Sequence, residues 1–537
     1  MLKKVSVLLA VLLIAGFAIP FAGAQEATTV LRYPINPDPE HLNPFTATTI
    51  AIGTINRNIY EGLARLDLNT MEPIPNLAES WEVSEDHLTY TFHLRHGVLF
   101  HDVEGVTYEN DDREFKADDW IWAAHIVNSA DETISQHPEI MEGVVGWEAH
   151  RNGEAETISG ITKIDDYTFQ VQLERPNRLF FTVGAGTVPV VSPEAYEQLG
   201  EDFANHPVGT GPYMFVEWQR DDHITLRANP EYWRQDVPSV DEIRFINVPD
   251  ANTQLLMYRN NELDFLFGFP TGQLAAVREE FADEYHERPG LNTRYFGFKW
   301  DQGFFAEHPL VRQAFAHAFN RDLVWNDLME GARLPGNLGV LPPAMPASTP
   351  AITYPYDLER AAELLAEAGF PNGEGIPPIQ LYVFASARDE LSLPVFQEDL
   401  RQLGVELEIV AEDSSTYWDH IGEDDVIFFL SGWSAGVADP SDTLNYLFMN
   451  ARDDTYYDNP AVNVLLERAM EEFDAGVREQ LYLAAHNLIM LDCPVIVSAY
   501  SKVMWLQKPW VENFVPSGGG TYTAPLWNVT INTELLP

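Results

Sequence analysis

From His87 to Leu94 apolar and polar positions alternate without a break. Leu88, Tyr90, Phe92 and Leu94 fall on one face, and Thr89, Thr91, His93 and Arg95 on the other. That period of two predicts a strand with one buried side. A helical lead-in from Pro75 and the run Trp81-Glu82-Val83 precede it, joined to it by the polar turn Ser84-Glu85-Asp86, and Gly97 ends the run before a second short strand. The segment 158–173, ISGITKIDDYTFQVQL, repeats the pattern as a second hairpin that turns at Asp165-Asp166. Further strands are predicted over 214–218, 224–229, 240–245, 294–298, 405–410, 426–430 and 495–500.

Elsewhere the spacing is helical. A helix is predicted over 50–63, ending at Gly62, and another over 118–128, whose Asp118 and Asp119 suit the positive end of the helix dipole. Over 308–320 Val311, Phe315 and Phe319 share a face, and over 357–369 Leu358, Ala361, Leu364 and Leu365 do so before a closing glycine. Helices also fit 395–403, 459–473 and 476–492, while the proline-rich stretch 341–355 reads as a long surface connection. Helices that alternate with strands, together with hairpins, make the class mixed α/β.

At 537 residues the chain exceeds one ordinary domain and can bury two or three cores. Lys3 and Lys4, the apolar run 5–19 and Ala22-Gly23-Ala24 before Gln25 have the layout of a cleaved signal peptide over 1–24. No cysteine follows the cleavage site to carry a lipid, and no later stretch approaches the roughly 20 apolar residues of a membrane span. A soluble protein exported to a periplasm is expected. Cys493 is the one cysteine, so no internal disulfide can form, and its apolar surroundings predict a buried, inert thiol.

The balance of 82 acidic against 32 basic residues gives a formal charge of −50. Nucleic acid and anionic lipid are excluded as partners, because phosphate binding needs a basic face. After the signal segment lysine occurs only at Lys116, Lys163, Lys299, Lys502 and Lys508. Such a surface serves solubility, or a salty habitat in which screening relieves the repulsion between carboxylates.

The wording of several segments carries more than their pattern. PNLAESWEVSEDHLTYTFHLRHGVLFHD at 75–102 resembles the opening hairpin of the extracytoplasmic solute-binding proteins of peptide and nickel ABC importers, bacterial family 5. The likeness returns in order: the ISGI and DDYT of the second hairpin, VGTGPY at 208–213, EYW at 231–233, VDEIRF at 240–245, and VRQAF with Arg321 in 310–321. The resemblance implies a periplasmic-binding-protein-like fold of two lobes joined by crossing hinge strands, with an extra subdomain in lobe one. It assigns 25–58, 187–289 and 501–537 to lobe one, 59–186 to the subdomain and 290–500 to lobe two. It also implies a monomeric, non-enzymatic receptor without cofactor, which closes on a peptide-like solute and passes it to an ABC permease.

The segment 425–448, DVIFFLSGWSAGVADPSDTLNYLF, is where function concentrates: a strand, a glycine-bounded turn from Gly432 to Gly436, then a polar helix start near Asp439. In the family it reads G-W-x-A-D-Y-x-D-P, matched here by Trp433, Ala435, Asp439 and Pro440. The resemblance makes the Trp433 indole a wall of the ligand site. The family aspartate whose carboxylate meets a peptide's ammonium is replaced by Gly436, and the next tyrosine by Val437. Peptides with free N-termini then need another carboxylate; an oligosaccharide is the alternative solute. Trp418 matches a further ligand-facing aromatic; Thr46, Thr48 and Thr49 lie in the N-terminal loop that contacts ligand in relatives, and Met141 and Trp147 are candidates from the subdomain.

Two other chemistries compete. Gly432-x-Ser434-x-Gly436 matches a serine nucleophile elbow after a strand, with Asp442, Asp458 and His486 following in the right order. No oxyanion segment precedes it. His93, His96, His101 and Asp102 suggest a metal, but a strand sends His93 and His96 to opposite faces. The acidic stretch 104–114 lacks the spacing of a calcium loop.

Overall fold

The structure is a computed structural model that describes residues 28–67, 73–235, 237–270, 272–384, 392–423, 425–520 and 524–537. The signal segment 1–24 lies outside the described residues.

Both predicted hairpins form and pair with each other. Ala78–Val83, Thr89–Leu94, Thr168–Gln172 and Ile161–Asp165 lie in that order in one antiparallel four-stranded sheet. The alternation decides what is buried: Tyr90, Phe92 and Leu94 enter the core, with Phe169 and Val171 beside them. No helix leads in from Pro75; the strand Pro73–Pro75 pairs with Ala64–Leu66 instead. A second four-stranded sheet has the order Val30–Ile35, Glu242–Asn247, His223–Ala228 and Tyr213–Gln219, its first pair parallel.

The glycines of VGTGPY serve close approach. A side chain at Gly209 or Gly211 would put its Cβ 2.2 or 2.5 Å from the Ile59 carbonyl oxygen. The same contact shortens the helix expected over 50–63. It ends at Asn56, because the Asn58 and Ile59 carbonyls accept from the Tyr213 and Gly211 amides rather than continuing a helical ladder. His101 is locked here too, its Nε2 2.8 Å from the Gly211 carbonyl and its pKa pushed down by burial to about 4.

The largest sheet has the order Phe265–Leu266, Val495–Gln507, Tyr285–Phe298, Phe428–Ser434, Ile379–Phe384 and Leu407–Glu412, with Leu334–Pro335 also on Val495–Gln507. Two of its strands are much longer than the alternation alone suggests: Tyr285–Phe298 rather than 294–298, and Val495–Gln507 rather than 495–500. Each serves two cores. Tyr295, Val495 and Val497 point into a core on one side of the sheet, Phe296 and Ile496 into a core on the other. Beyond Tyr500 the same strand gives Val503 and Trp505 to a separate core built on the hairpins and the N-terminal strand. The register between the two long strands slips between Pro289 and Thr293. The molecule is thus two lobes with antiparallel strands crossing between them.

The helices largely keep their expected faces. Val311, Phe315 and Phe319 are buried, as are Ala361, Leu364 and Leu365. Helix Pro309–Ala318 is preceded by a separate turn Gly303–Glu307, because Pro309 starts a new helix. Cys493 caps helix Ala475–Asp492 in the left-handed region, fully buried, where burial pushes its thiol up to about 12.

Candidate functional site

Strand Phe428–Ser434 continues through Gly432, so the turn begins at Ala435, three residues later than predicted. Ser434 pairs with Asn292, Trp433 with Thr293 and Gly432 with Arg294, immediately beside the register slip of the crossing strands. The loop 435–439 therefore leaves the sheet beside the crossing strands. The C-terminal segment reaches the crossing strand here: the Gly518 carbonyl accepts from the Leu291 amide at 2.9 Å.

Two aspartates hold the loop. Asp439 caps helix Pro440–Phe448 through the Ser441 amide and forms a two-pronged pair with Arg478, at 2.6 and 2.9 Å. Burial raises its carboxyl, but Arg478 and the Ser441 donors outweigh that and hold it below the ordinary value. Asp442, on the next part of the same helix, accepts from the Trp433 indole at 2.8 Å and from the Gly436 and Val437 amides at 2.9 and 3.2 Å. Burial raises this carboxyl and its donors offset only part of the shift.

Trp433 is half-buried and stacks on Tyr446, ring centroids 3.9 Å apart at 21°. Asp442 and Tyr446 are four residues apart on one helix, so one face grips the indole by its N–H and by its ring. Trp418 is 49% exposed and lies over Phe384 at 6.1 Å and 29°, and the Arg294 guanidinium lies 5.6 Å from the Phe384 ring centre. In each pair one aromatic residue, Trp418 or Tyr446, is exposed to solvent.

The other expected residues are placed differently. Ala435 is 1% exposed and Met141 wholly buried, each within a core, so neither offers surface to a solute. Asp439 is spent on Arg478. Thr46 ends a short turn, Thr48 is exposed, and Thr49 caps helix Ile50–Asn56 by accepting from the Ile52 amide at 3.3 Å. Trp147 starts the short helix Trp147–Arg151 and packs against the first core. Sequence reading had not singled out Tyr446, Phe384 or Arg294; the i, i+4 spacing of Asp442 and Tyr446 was the available signal.

The nucleophile arrangement is not assembled. Ser434 lies within a strand rather than on a strand-to-helix elbow. His486 is buried, accepting from the Val340 amide at Nε2 and donating to the Ala347 carbonyl from Nδ1, and burial takes its pKa down to about 4. Its two nitrogens are both engaged away from Ser434, and Asp442 is engaged with the loop. Among the described residues no three metal-ligating side chains gather into a site, and no helix is long and apolar enough to cross a membrane.

Away from the crossing strands, the first hairpin also touches the segment before helix Ala475–Asp492. His87, at the tip of the first hairpin, stacks flat on Phe473, centroids 3.7 Å apart at 9°, and Arg178 donates to the Phe473 carbonyl at 3.0 Å.

The model of the bacterial extracellular solute-binding proteins, family 5, matches residues 72–455. A glutathione-binding protein, GsiB of Pectobacterium atrosepticum, is 29% identical over 479 residues, which cover 86% of this chain and 87% of that protein. The structure of HbpA2 from Haemophilus parasuis superimposes with a TM-score of 0.80 at 23% identity, covering 94% of this chain and 99% of that one. The periplasmic binding protein DppA from Helicobacter pylori, in complex with the peptide STSA, gives 0.73 at 26% identity, covering 94% and 98%.

Proposed function

The chain belongs to the bacterial extracellular solute-binding proteins of family 5, and from that membership we propose that it is the exported receptor of an ABC importer, closing its lobes on a peptide-like solute. The observation that carries this reading is the position of the Trp433–Tyr446 pair, with Trp433 paired directly to Thr293 of a crossing strand. A solute held there touches both lobes, and only contacts made in the closed form bias the hinge.

In this reading lobe one comprises 25–58, 187–289 and 501–537, with 59–186 as its subdomain, and lobe two comprises 290–500. Trp433, Gly436 and Trp418 face the solute, with Thr46, Thr48 and Thr49 opposite them from lobe one. Ala435 and Asp439 act behind them by fixing the loop. The receptor acts as a periplasmic monomer that leaves its solute chemically unchanged, after removal of a signal peptide over 1–24. Peptide-binding and glutathione-binding relatives support a solute built of amino acids.

The test is thermal unfolding of the mature chain with short peptides, oligosaccharides and nickel. A ligand at about 100 times its Kd adds about 2.7 kcal/mol of stability. Peptides are expected to raise the midpoint, and Trp433→Ala to remove most of that rise. Shifts from sugars alone would move the solute class; no shift from any of them would overturn the receptor reading.

A further inference from the structure

The geometry points to Asp442 as the carboxylate that receives a solute's ammonium group, through the opening left by Gly436. This rests on the receptor reading above and names the chemistry at one end of its solute.

Gly436 is exposed, and a Cβ built on it would meet a single heavy atom within 4 Å, Asp442 Oδ2 at 3.6 Å. A solute reaching over this backbone therefore encounters a carboxylate rather than a side chain of residue 436. That carboxylate is immobilised by three donors, the Trp433 indole and the Gly436 and Val437 amides. Three neutral donors leave one of its about four lone-pair sites open and leave its charge uncompensated. In shifting its ionisation burial comes first, the three donors follow, and the neighbouring Asp439 adds a like charge.

Arg478, the guanidinium nearest Asp439, is consumed by that carboxylate at 2.6 Å. The two aspartates are thus held differently: Asp439 by a guanidinium, Asp442 by the neutral Trp433, Gly436 and Val437 donors. An ammonium is the group that fits. It is compact, supplies three donors, and makes charge-assisted hydrogen bonds to a carboxylate. An uncapped peptide carries such a group at its N-terminus.

The experiment offers the folded mature chain a pool of short peptides with free N-termini and the same pool N-acetylated, and reads the retained peptides by mass spectrometry. The parent is expected to retain the free pool over the acetylated one by about tenfold, the loss of one charge-assisted hydrogen bond. Asp442→Asn is expected to abolish that preference. Gly436→Val is a second variant, closing the opening while leaving the Asp442 side chain in place, and is expected to abolish it as well. It decides the matter if Asp442→Asn does not fold, as judged by thermal unfolding. A parent that retains both pools equally, or a folded variant that keeps the preference, overturns this inference and leaves the receptor reading standing. A parent that retains neither pool overturns peptide binding itself, and this inference with it.

Discussion

Asp439 and Asp442 sit three residues apart on one short element, yet their carboxyls are driven in opposite directions. Removing Arg478 would strand Asp439 inside the protein. Arg478→Ala is therefore expected to cost about 3–5 kcal/mol near neutral pH, measured by denaturant unfolding. Because the folded pKa of Asp439 lies below its unfolded value, the pair's stabilisation is present above the unfolded pKa and is lost as pH falls through the folded one. The gap between variant and parent should then shrink in acid. Asp453 makes the contrary case: burial and the adjacent Asp454 carry it up to about 7, with the Tyr295 hydroxyl 3.3 Å away. Its folded form holds a proton that the unfolded chain releases near pH 4, so it favours the fold in acid and loses that contribution as pH rises to about 7. Across that window one proton corresponds to about 1.4 kcal/mol per pH unit. Asp453→Asn should flatten this slope in unfolding measured from pH 4 to 8; an unchanged slope would refute the assignment.

At the scale of elements, what a segment buries on its own was readable and what it buries against distant partners was not. The strand Thr89–Leu94 declares its core face by alternation, and helix Leu358–Glu367 by its apolar stripe. The 14-residue strand Tyr285–Phe298 does not, because its first half lies on the edge of one lobe and its second inside the other, so no single period describes it. The helix begun at Ile50 is cut short by a glycine turn more than 150 residues later in the chain, a contact that no local rule contains. The motif singled out Trp433, whereas Tyr446 stacked on it and the use of Asp442 as the loop's anchor needed the fold. The glycine turn can be tested directly. Gly211→Ala would drive a methyl into the Ile59 carbonyl, with Asn58 equally close behind, and is expected to destabilise the protein by about 3 kcal/mol. A fully stable variant would mean that these two segments can part without cost.

For the whole molecule the dominant quantity is charge. A formal −50 spread over two lobes opposes both their compactness and their approach to each other. Raising ionic strength from 0.1 to 1 M shortens the screening length from about 10 to about 3 Å. The unfolding midpoint should rise over that range, equally with sodium and potassium chloride. A midpoint indifferent to salt would show that the acidic surface is already neutralised locally.

The burial of Cys493 turns the receptor into a ready background for optical reporting of its own motion. The native thiol is inaccessible and its ionisation is suppressed to about 12, so maleimide dyes will pass it by. Cysteines placed at Glu85 and Glu471, exposed residues beside the His87–Phe473 contact, can carry a donor and acceptor pair without first removing it. Energy transfer between them would then follow the opening and shutting of the lobes in single molecules, solute by solute.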